Sequence, residues 1–499
     1  MPKLGERRAL ALLLAATFGL RSAGADQPIV ENYVGRQIPT AMVARNLGRG
    51  SGWLDPQLDT GPFPNRFVIE PPLFAGLAVG LRRLIGLDLA SSGRIAAALA
   101  TTLGAWGLYG LVRRRDGPGV AIASVFAFAL LPVTLRYGRA FQPDALALGA
   151  VLAGLDLSEG EGRAGRALGW ALLAIGLSQK VWYAFMLVPW WIVAAPRGRW
   201  RAVVLGLAAL APAIAWYAWA AWSTARGQAG GSTAGSDSAS YWAGAIGPAS
   251  WIEPSTWRHV ARLLVRGFGP AGLALAIAGL GIGRRYPGRN RLWAAWAGAA
   301  GLTLAMLAGK LHHEYYGLVL APPIAAWIGR SLATLRERRP GWAIAVASAF
   351  AASTIAATAD TWQTPAEWRS LPLAAAALRR EAPPGSLVVA PEALLFAADR
   401  RGCRLEPDRR SAERAAGEWG ARLDDPGDPL ALVRFYAGRG ATTFADLTTT
   451  TGDPRREALH ASVRRQCRVL VDRDGVLVAD LRGLTAGEER ASWRPPTAR

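Results

Sequence analysis

Between residue 9 and about residue 358 the chain alternates long apolar runs with short arginine-rich breaks, and beyond that point the alternation stops. A helix needs about 17–25 apolar residues to cross a hydrocarbon core of about 30 Å. The pattern predicts crossings over 9–24, 94–112, 119–135, 144–157, two arms within 167–195, 202–222, 268–283, 292–309, 316–335 and 341–358. If Lys3, Arg7 and Arg8 are cytoplasmic, then Arg113 to Arg115, Arg163 and Arg166, Arg197 to Arg201, Arg284 to Arg291, and Arg336 to Arg339 all return to the same side. Basic residues beside apolar runs mark the cytoplasmic face. About eleven crossings follow, with the N-terminus inside. The expected fold class is a polytopic α-helical membrane protein with a C-terminal soluble α/β domain. Its parts are 1–358, containing a long first outer loop over 25–92, and an extracytoplasmic 359–499. The first run also has the form of a cleavable signal peptide ending at Ala23-Gly24-Ala25; the loop after it favours a retained helix, and the downstream topology is the same either way.

Two stretches are short for their task. The two arms within 167–195 have about 14 residues each, or about 21 Å of helix, less than a bilayer requires. The turn at Ser178-Gln179-Lys180 is therefore expected below the outer surface, and the run that begins at Asp144 is short in the same way. Short helices that start deep imply a recess open to the outside, and a charge in such a place is by default functional.

After Asp360 the pattern is that of a soluble domain. Ser386 to Ala390 and Ala441 to Leu447 read as strands, Pro391 to Arg401 and Leu432 to Gly438 as helices, and Cys467 to Leu481 as a hairpin turning at Asp474-Gly475. No phosphate loop, nucleophile elbow or metal motif occurs there, which leaves acceptor recognition or a structural role.

Composition changes this picture in two respects. Of the 499 residues 51% are hydrophobic and 19% charged, with a formal net charge of +21. Such a charge would suggest nucleic acid in a soluble protein; here the cations sit at the ends of apolar runs, so membrane topology accounts for them and no nucleic-acid partner is expected. The cysteines are Cys403 and Cys467, both in the domain placed in an oxidising compartment, which predicts a disulfide between them.

The candidate chemistry gathers on the outer side: Glu31, Arg36, Glu70, Arg136, Arg139, Asp144, Lys180, Lys310, His312, His313, Glu314, Tyr315 and Tyr316. A carboxylate can take a proton from an acceptor hydroxyl, and arginines and lysines can hold a phosphate and the charge it gains on leaving. Each has a plainer alternative. Glu31 could be a solvated loop acid, Arg36 an interfacial residue of the amphipathic stretch Arg36 to Leu47, and Asp144 an acid favoured at a helix start. Lys310 to Tyr316 could be an aromatic belt with incidental polar residues. His312, His313 and Glu314 are poorly spaced for zinc on one helix face, so a metal remains unassigned.

These residues also carry a family resemblance. Gly35-Arg36-Gln37, Thr40 to Leu47, and Glu70-Pro71-Pro72-Leu73 resemble the first outer loop of the GT-C membrane glycosyltransferases, chiefly the protein O-mannosyltransferase and lipid A aminoarabinose transferase branches. Arg136-Tyr137-Gly138-Arg139 through Asp144, the Gln179-Lys180 turn, and His313 to Tyr316 followed by Pro322 continue the match in order, over roughly residues 25–335. The resemblance implies an inverting hexosyl or pentosyl transferase of the cytoplasmic membrane. Its donor would be a sugar on polyprenyl phosphate, and its acceptor an envelope glycan, lipid or protein met at the outer face. It implies catalytic roles for Asp144 and Glu31, phosphate binding by Lys180, Arg36 and Arg139, and a pocket with Glu70, Lys310, His313 and Tyr316. The chain departs from the family at Tyr33 and Val34, where an acid is usual; Glu31 is the nearest substitute. No cofactor is assigned beyond the lipid-linked donor, and a divalent metal stays open. Two other readings stay open: a transporter or lipid flippase, and an envelope assembly protein on the same fold. A transporter should place polar groups at mid-membrane and often shows internal repeats; this polar set gathers on one side.

Overall fold

The structure is a computed structural model that describes residues 4–31, 34–194, 199–226, 248–284, 287–406, 408–449 and 452–484. It is mostly helical, with one small mixed sheet. In chain order the helices are α1 (Leu4–Ser22), α2 (Val34–Gly48), α3 (Leu73–Ile85), α4 (Leu89–Asp116), α5 (Pro118–Leu130), α6 (Pro132–Tyr137), α7 (Asp144–Ser158) and α8 (Arg163–Gln179). There follow α9 (Arg199–Ala225), α10 (Pro254–Phe268), α11 (Pro270–Arg284), α12 (Pro287–Met306), α13 (Ala321–Arg338) and α14 (Pro340–Ala357). The chain forms two compact units. One comprises 1–26, 70–219 and 240–362, the other 27–69, 220–239 and 363–499. The first loop thus groups with the C-terminal residues.

The helical stretches Leu89–Asp116, Trp200–Ser223, Glu314–Arg338 and Pro340–Ala357 are long and apolar enough to cross a membrane, and the bent pair α10 and α11 adds a fifth if it is one span. That is fewer than the eleven crossings expected. Prolines and charges shorten the runs: Pro132 separates α5 from α6, Lys180 ends α8, and α7 has 15 residues. Residues 316–335 likewise begin as a 3₁₀ turn, Glu314–Leu320, before α13. Small residues bring these helices together. A Cβ on Gly154 of α7 would lie 2.8 Å from the Gly169 carbonyl of α8, and one on Gly104 of α4 would lie 3.0 Å from Gly149 Cα of α7. The fully buried Arg21 caps backbone instead of meeting water: it donates to the carbonyls of Thr17, Ala129 and Thr134 at 3.0–3.1 Å.

The second unit is built on strands β1 (Leu387–Ala390), β2 (Gly402–Arg404), β3 (Ala441–Leu447), β4 (Arg468–Arg473) and β5 (Val476–Asp480), in the order β2-β1-β3-β5-β4. β1 runs parallel to β2 and β3; β3, β5 and β4 are antiparallel. The β4–β5 hairpin turns where the sequence predicts, at Asp474 and Gly475, both with positive φ. The helix after β1 is shorter than expected, Glu392–Ala398, because Asp399 caps it in the left-handed conformation. The first loop joins this sheet: Thr60 bridges Gly402, and Gly61 N–H donates to the Gly402 carbonyl at 2.8 Å. Behind it Arg45 of α2 pairs with the fully buried Asp59 at 2.5 Å and with Asp399 at 2.9 Å.

The expected disulfide is not formed; Cys403 and Cys467 are free thiols. Cys403 lies on β2 and Cys467 immediately precedes β4, the two opposite edges of the sheet. Four inter-strand steps of about 4.8 Å separate those edges by roughly 19 Å, against a Cα limit of about 7 Å for a bridge. A shared compartment does not bring two strands together.

Candidate active site

Three of the expected residues meet in the first unit. Glu70 leads into Pro71-Pro72, which start α3; Asp144 is the first residue of α7; Lys180 ends α8 in an extended conformation, φ −147° and ψ 95°. That break turns the lysine off the helix, and its carbonyl then accepts from Tyr183 N–H at 3.0 Å as a 3₁₀ turn begins. Lys180 Nζ lies 2.6 Å from Glu70 Oε1 and 3.6 Å from Asp144 Oδ1. All three side chains are enclosed, at 3%, 7% and 5% exposure. A buried ammonium between two carboxylates is held by charge-assisted contacts that water cannot screen. The N-terminus of α7 adds favourable dipole at Asp144.

The neighbouring Gln179 explains why the two motifs coincide. Its amide nitrogen donates to the Pro71 carbonyl at 2.7 Å and its oxygen accepts from Phe74 N–H at 3.2 Å, so the Glu70-Pro-Pro turn is clamped to the end of α8. Aromatic rings close the lysine from the other directions. Nζ stands 4.8 Å from the Trp182 ring centre and 5.8 Å from that of Tyr315, within cation–π range. Tyr316 packs on Trp182 at 5.5 Å, and His313 stacks on Tyr315 at 5.5 Å with the planes 9° apart. The turn that carries His313, Tyr315 and Tyr316 is therefore part of this cluster. Lys310 is buried at the preceding turn.

Arg139 is placed differently. It is fully buried, and its guanidinium donates to the backbone carbonyls of Arg21, Ala23, Gly24 and Thr361. That arrangement ties α1, the α6–α7 turn and the 3₁₀ turn that follows α14 together. Arg136 likewise reaches the carbonyls of Arg266 and Ala357, at 3.0 and 2.5 Å. Glu31 and Arg36 belong to the second unit. Glu31 is buried and accepts from Val30 N–H at 3.2 Å, while Gln37 donates to its carbonyl at 2.8 Å. Arg36 stacks over Phe67 at 5.5 Å.

Three residues near the site escape a reading of the sequence. Trp182 is one apolar residue in an apolar run; only its spacing of two from Lys180 marks it. Arg266 of α10, half exposed, pairs with Glu314 at 2.9 Å beside Tyr315. Gln142, two residues before Asp144, is fully buried, with neither amide atom hydrogen-bonded among the described residues. Among the described residues no three His, Cys, Asp or Glu side chains gather as a metal set, and His312 points out while His313 is buried.

The fold is shared with known structures. ArnT from Cupriavidus metallidurans superposes with a TM-score of 0.65 at 14% identity in its apo state, and of 0.63 at 14% when bound to undecaprenyl phosphate; each match covers 96% of this chain and 99% of that one. The archaeal oligosaccharyltransferase AglB from Archaeoglobus fulgidus, in complex with an inhibitory peptide and a dolichol-phosphate, gives 0.60 at 12% identity, covering 93% of this chain and 72% of that one. The arabinofuranosyltransferase AftD from Mycobacteria gives 0.53 at 18%, covering 96% and 40%. No protein-family model and no curated protein matches the sequence. The resemblance to the GT-C glycosyltransferases carried by the ordered motifs is thus matched by the fold.

Proposed function

We propose that this protein is a membrane glycosyltransferase that moves a sugar from a polyprenyl-phosphate donor to an envelope acceptor at the outer face of the cytoplasmic membrane. The observation that carries this reading is the enclosed Lys180, held by Glu70 and Asp144 under aromatic rings, in a fold shared with ArnT bound to undecaprenyl phosphate. In the reaction the acceptor hydroxyl oxygen attacks the anomeric carbon and the bond from that carbon to the phosphate oxygen breaks. The hydroxyl proton passes to a carboxylate and polyprenyl phosphate leaves with one more negative charge. Lys180 stabilises that charge, and Asp144 takes the proton once the phosphate draws the ammonium away. The resemblance assigns Glu31 and Arg36 the roles of acid and phosphate cation. Tyr316, His313 and Lys310 wall the sugar side. Attack opposite the leaving phosphate inverts the sugar carbon. Arg139, engaged with four carbonyls, serves the scaffold in this reading, and the half-exposed Arg266 takes the phosphate role first assigned to it.

The membrane reading retains about eleven crossings. Short segments such as α7 and α8 are inserted beside longer ones, and the C-terminal residues lie outside. The test compares envelope glycolipids, glycans and polyprenyl-phosphate sugars by mass spectrometry in cells with the wild-type gene, without it, and with Asp144→Asn. Accumulation of one lipid-linked sugar and loss of one modified product is expected in the latter two. Unchanged profiles in the deletion strain refute the assignment.

A further inference from the structure

Apart from Arg266, helix α10 carries a surface that the transfer chemistry does not use. Its buried side, Thr256, Leu263 and Gly267, packs against α6 and the 3₁₀ turn Glu314–Leu320. Two further rows, each repeating every four residues, remain outside. One is apolar: Trp257, Ala261 and Val265, with Trp257 56% and Val265 51% exposed. The other, one residue along and about 100° around the helix, is Arg258, Arg262 and Arg266. Arg266 is paired with Glu314. Arg258 and Arg262 are exposed and make no hydrogen bond or ion pair among the described residues. Trp257 is anchored by its indole N–H to the Trp251 carbonyl at 3.0 Å, and Ile252, 84% exposed, extends the apolar row.

The direction of the helix completes the case. At Gly269, with φ +70°, the chain turns by 89° into the apolar α11, which packs along α13 within the candidate span Glu314–Arg338. A helix at right angles to a membrane-spanning one runs in the plane of the bilayer. With an apolar row beside a basic row, it has the form of an interfacial helix whose aromatic and aliphatic side chains enter the acyl boundary while arginines stay at the phosphate level.

The geometry points to α10 as a docking surface for anionic phospholipid headgroups of the bilayer leaflet that faces the candidate site, gripped by Arg258 and Arg262. The apolar row alone fits any lipid; the two unpaired guanidinium groups select negative headgroups. Each arginine near an anionic leaflet strengthens association about fivefold, so the pair contributes about 25-fold. This inference rests on the chain spanning a membrane and not on its catalysing transfer.

Hydrogen–deuterium exchange of the full-length protein tests it, in nanodiscs of phosphatidylcholine alone and of phosphatidylcholine with 30% phosphatidylglycerol as the probe. Amides of 256–268 are expected to exchange about tenfold more slowly in the anionic discs. The difference should shrink in 0.5 M salt, where surface charges are screened, and should vanish in Arg258→Gln/Arg262→Gln while α13 keeps its protection. Equal exchange of the wild type in the two lipids overturns the proposal, and that comparison stands even if the double variant fails to fold. Protection by inorganic phosphate added to neutral discs also overturns it, assigning the site to a soluble anion. Failure of the chain to enter nanodiscs would refute the membrane reading itself, and a chain that binds lipid yet transfers no sugar would refute only the enzymatic one.

Discussion

Removing the Lys180 ammonium should destabilise the protein and abolish transfer, and the two effects can be separated. In Lys180→Met the carboxylates of Glu70 and Asp144, 7% and 5% exposed, lose the cation that stands 2.6 and 3.6 Å from them. Breaking a buried pair from one side costs about 3–5 kcal/mol, because the charge left behind is still desolvated. Glu70→Gln is milder: Lys180 keeps Asp144, and the loss is about 1–3 kcal/mol, typical of a charged hydrogen bond. The double variant Glu70→Gln/Lys180→Met carries one buried charge fewer than Lys180→Met, so it should recover roughly 2 kcal/mol, a non-additivity expected of contacting residues. Unfolding in mixed micelles of rising dodecyl sulfate fraction measures all four proteins. Transfer assayed at equal folded levels should fall about a hundred- to a thousandfold in both variants that lack the lysine. If the double variant is as unstable as the sum of the singles, the ion pair contributes nothing. If it transfers sugar normally, Lys180 is not the phosphate ligand and the mechanism fails.

Four other outcomes are expected. Alkylation of the denatured chain without reductant should label both Cys403 and Cys467; in the native protein Cys467, whose thiol burial pushes up to about 11, should react at pH 8 roughly a hundredfold more slowly than a free thiol, and a denatured chain that takes up no adduct would contradict the free-thiol structure. Burial alone would raise the Asp446 carboxyl, yet hydrogen bonds from His460 and Arg456 hold it below its ordinary value, so its contribution is complete above about pH 4 and is lost as pH falls further through the lowered value; Asp446→Asn should flatten the acid limb of the unfolding curve and cost about 3–5 kcal/mol at pH 7. Gln142→Leu should be neutral or stabilising by up to about 2 kcal/mol, since it removes an orphaned amide, while raising KM for the donor if that amide meets a sugar hydroxyl; a loss of stability would show the amide already satisfied. Reporters fused near residue 60 and after residue 358 should be active only outside the cytoplasm, and a cytoplasmic signal from either overturns the topology.

Much of the candidate site was visible along the chain because membrane chains leave few polar residues to choose from. A lysine in a short, sunken turn had to have a reason, and Lys180 does lie enclosed between two acids. The partner was harder to read. Asp144 was the favoured acid, yet Glu70 makes the 2.6 Å contact, and nothing local distinguishes the two carboxylates. Arg139 shows the opposite error: it sits in a motif of the right form, but its guanidinium answers four backbone carbonyls. A motif records which residue type is needed, while the direction of the side chain depends on which helix end comes to rest beside it.

Local patterns determined what local physics controls. Apolar runs and arginine breaks marked most of the helices, the Asp474-Gly475 pair set the β4–β5 turn, and the continuous apolar run Leu387 to Ala390 gave β1 its place. Those features depend on neighbours a few residues apart. Contacts between distant segments decided the rest. Glu70 reaches Lys180 across 110 residues because Gln179 clamps Pro71 and Phe74 to the end of α8. Loop 27–69 groups with the C-terminal residues because Thr60 extends the β2 edge and Arg45 finds Asp59 and Asp399. β2 itself, three residues long, is a strand only because β1 pairs with it. The cysteines stay apart for the same reason: strand order is settled by packing across the whole sheet, and no residue near Cys403 or Cys467 records which edge it will occupy.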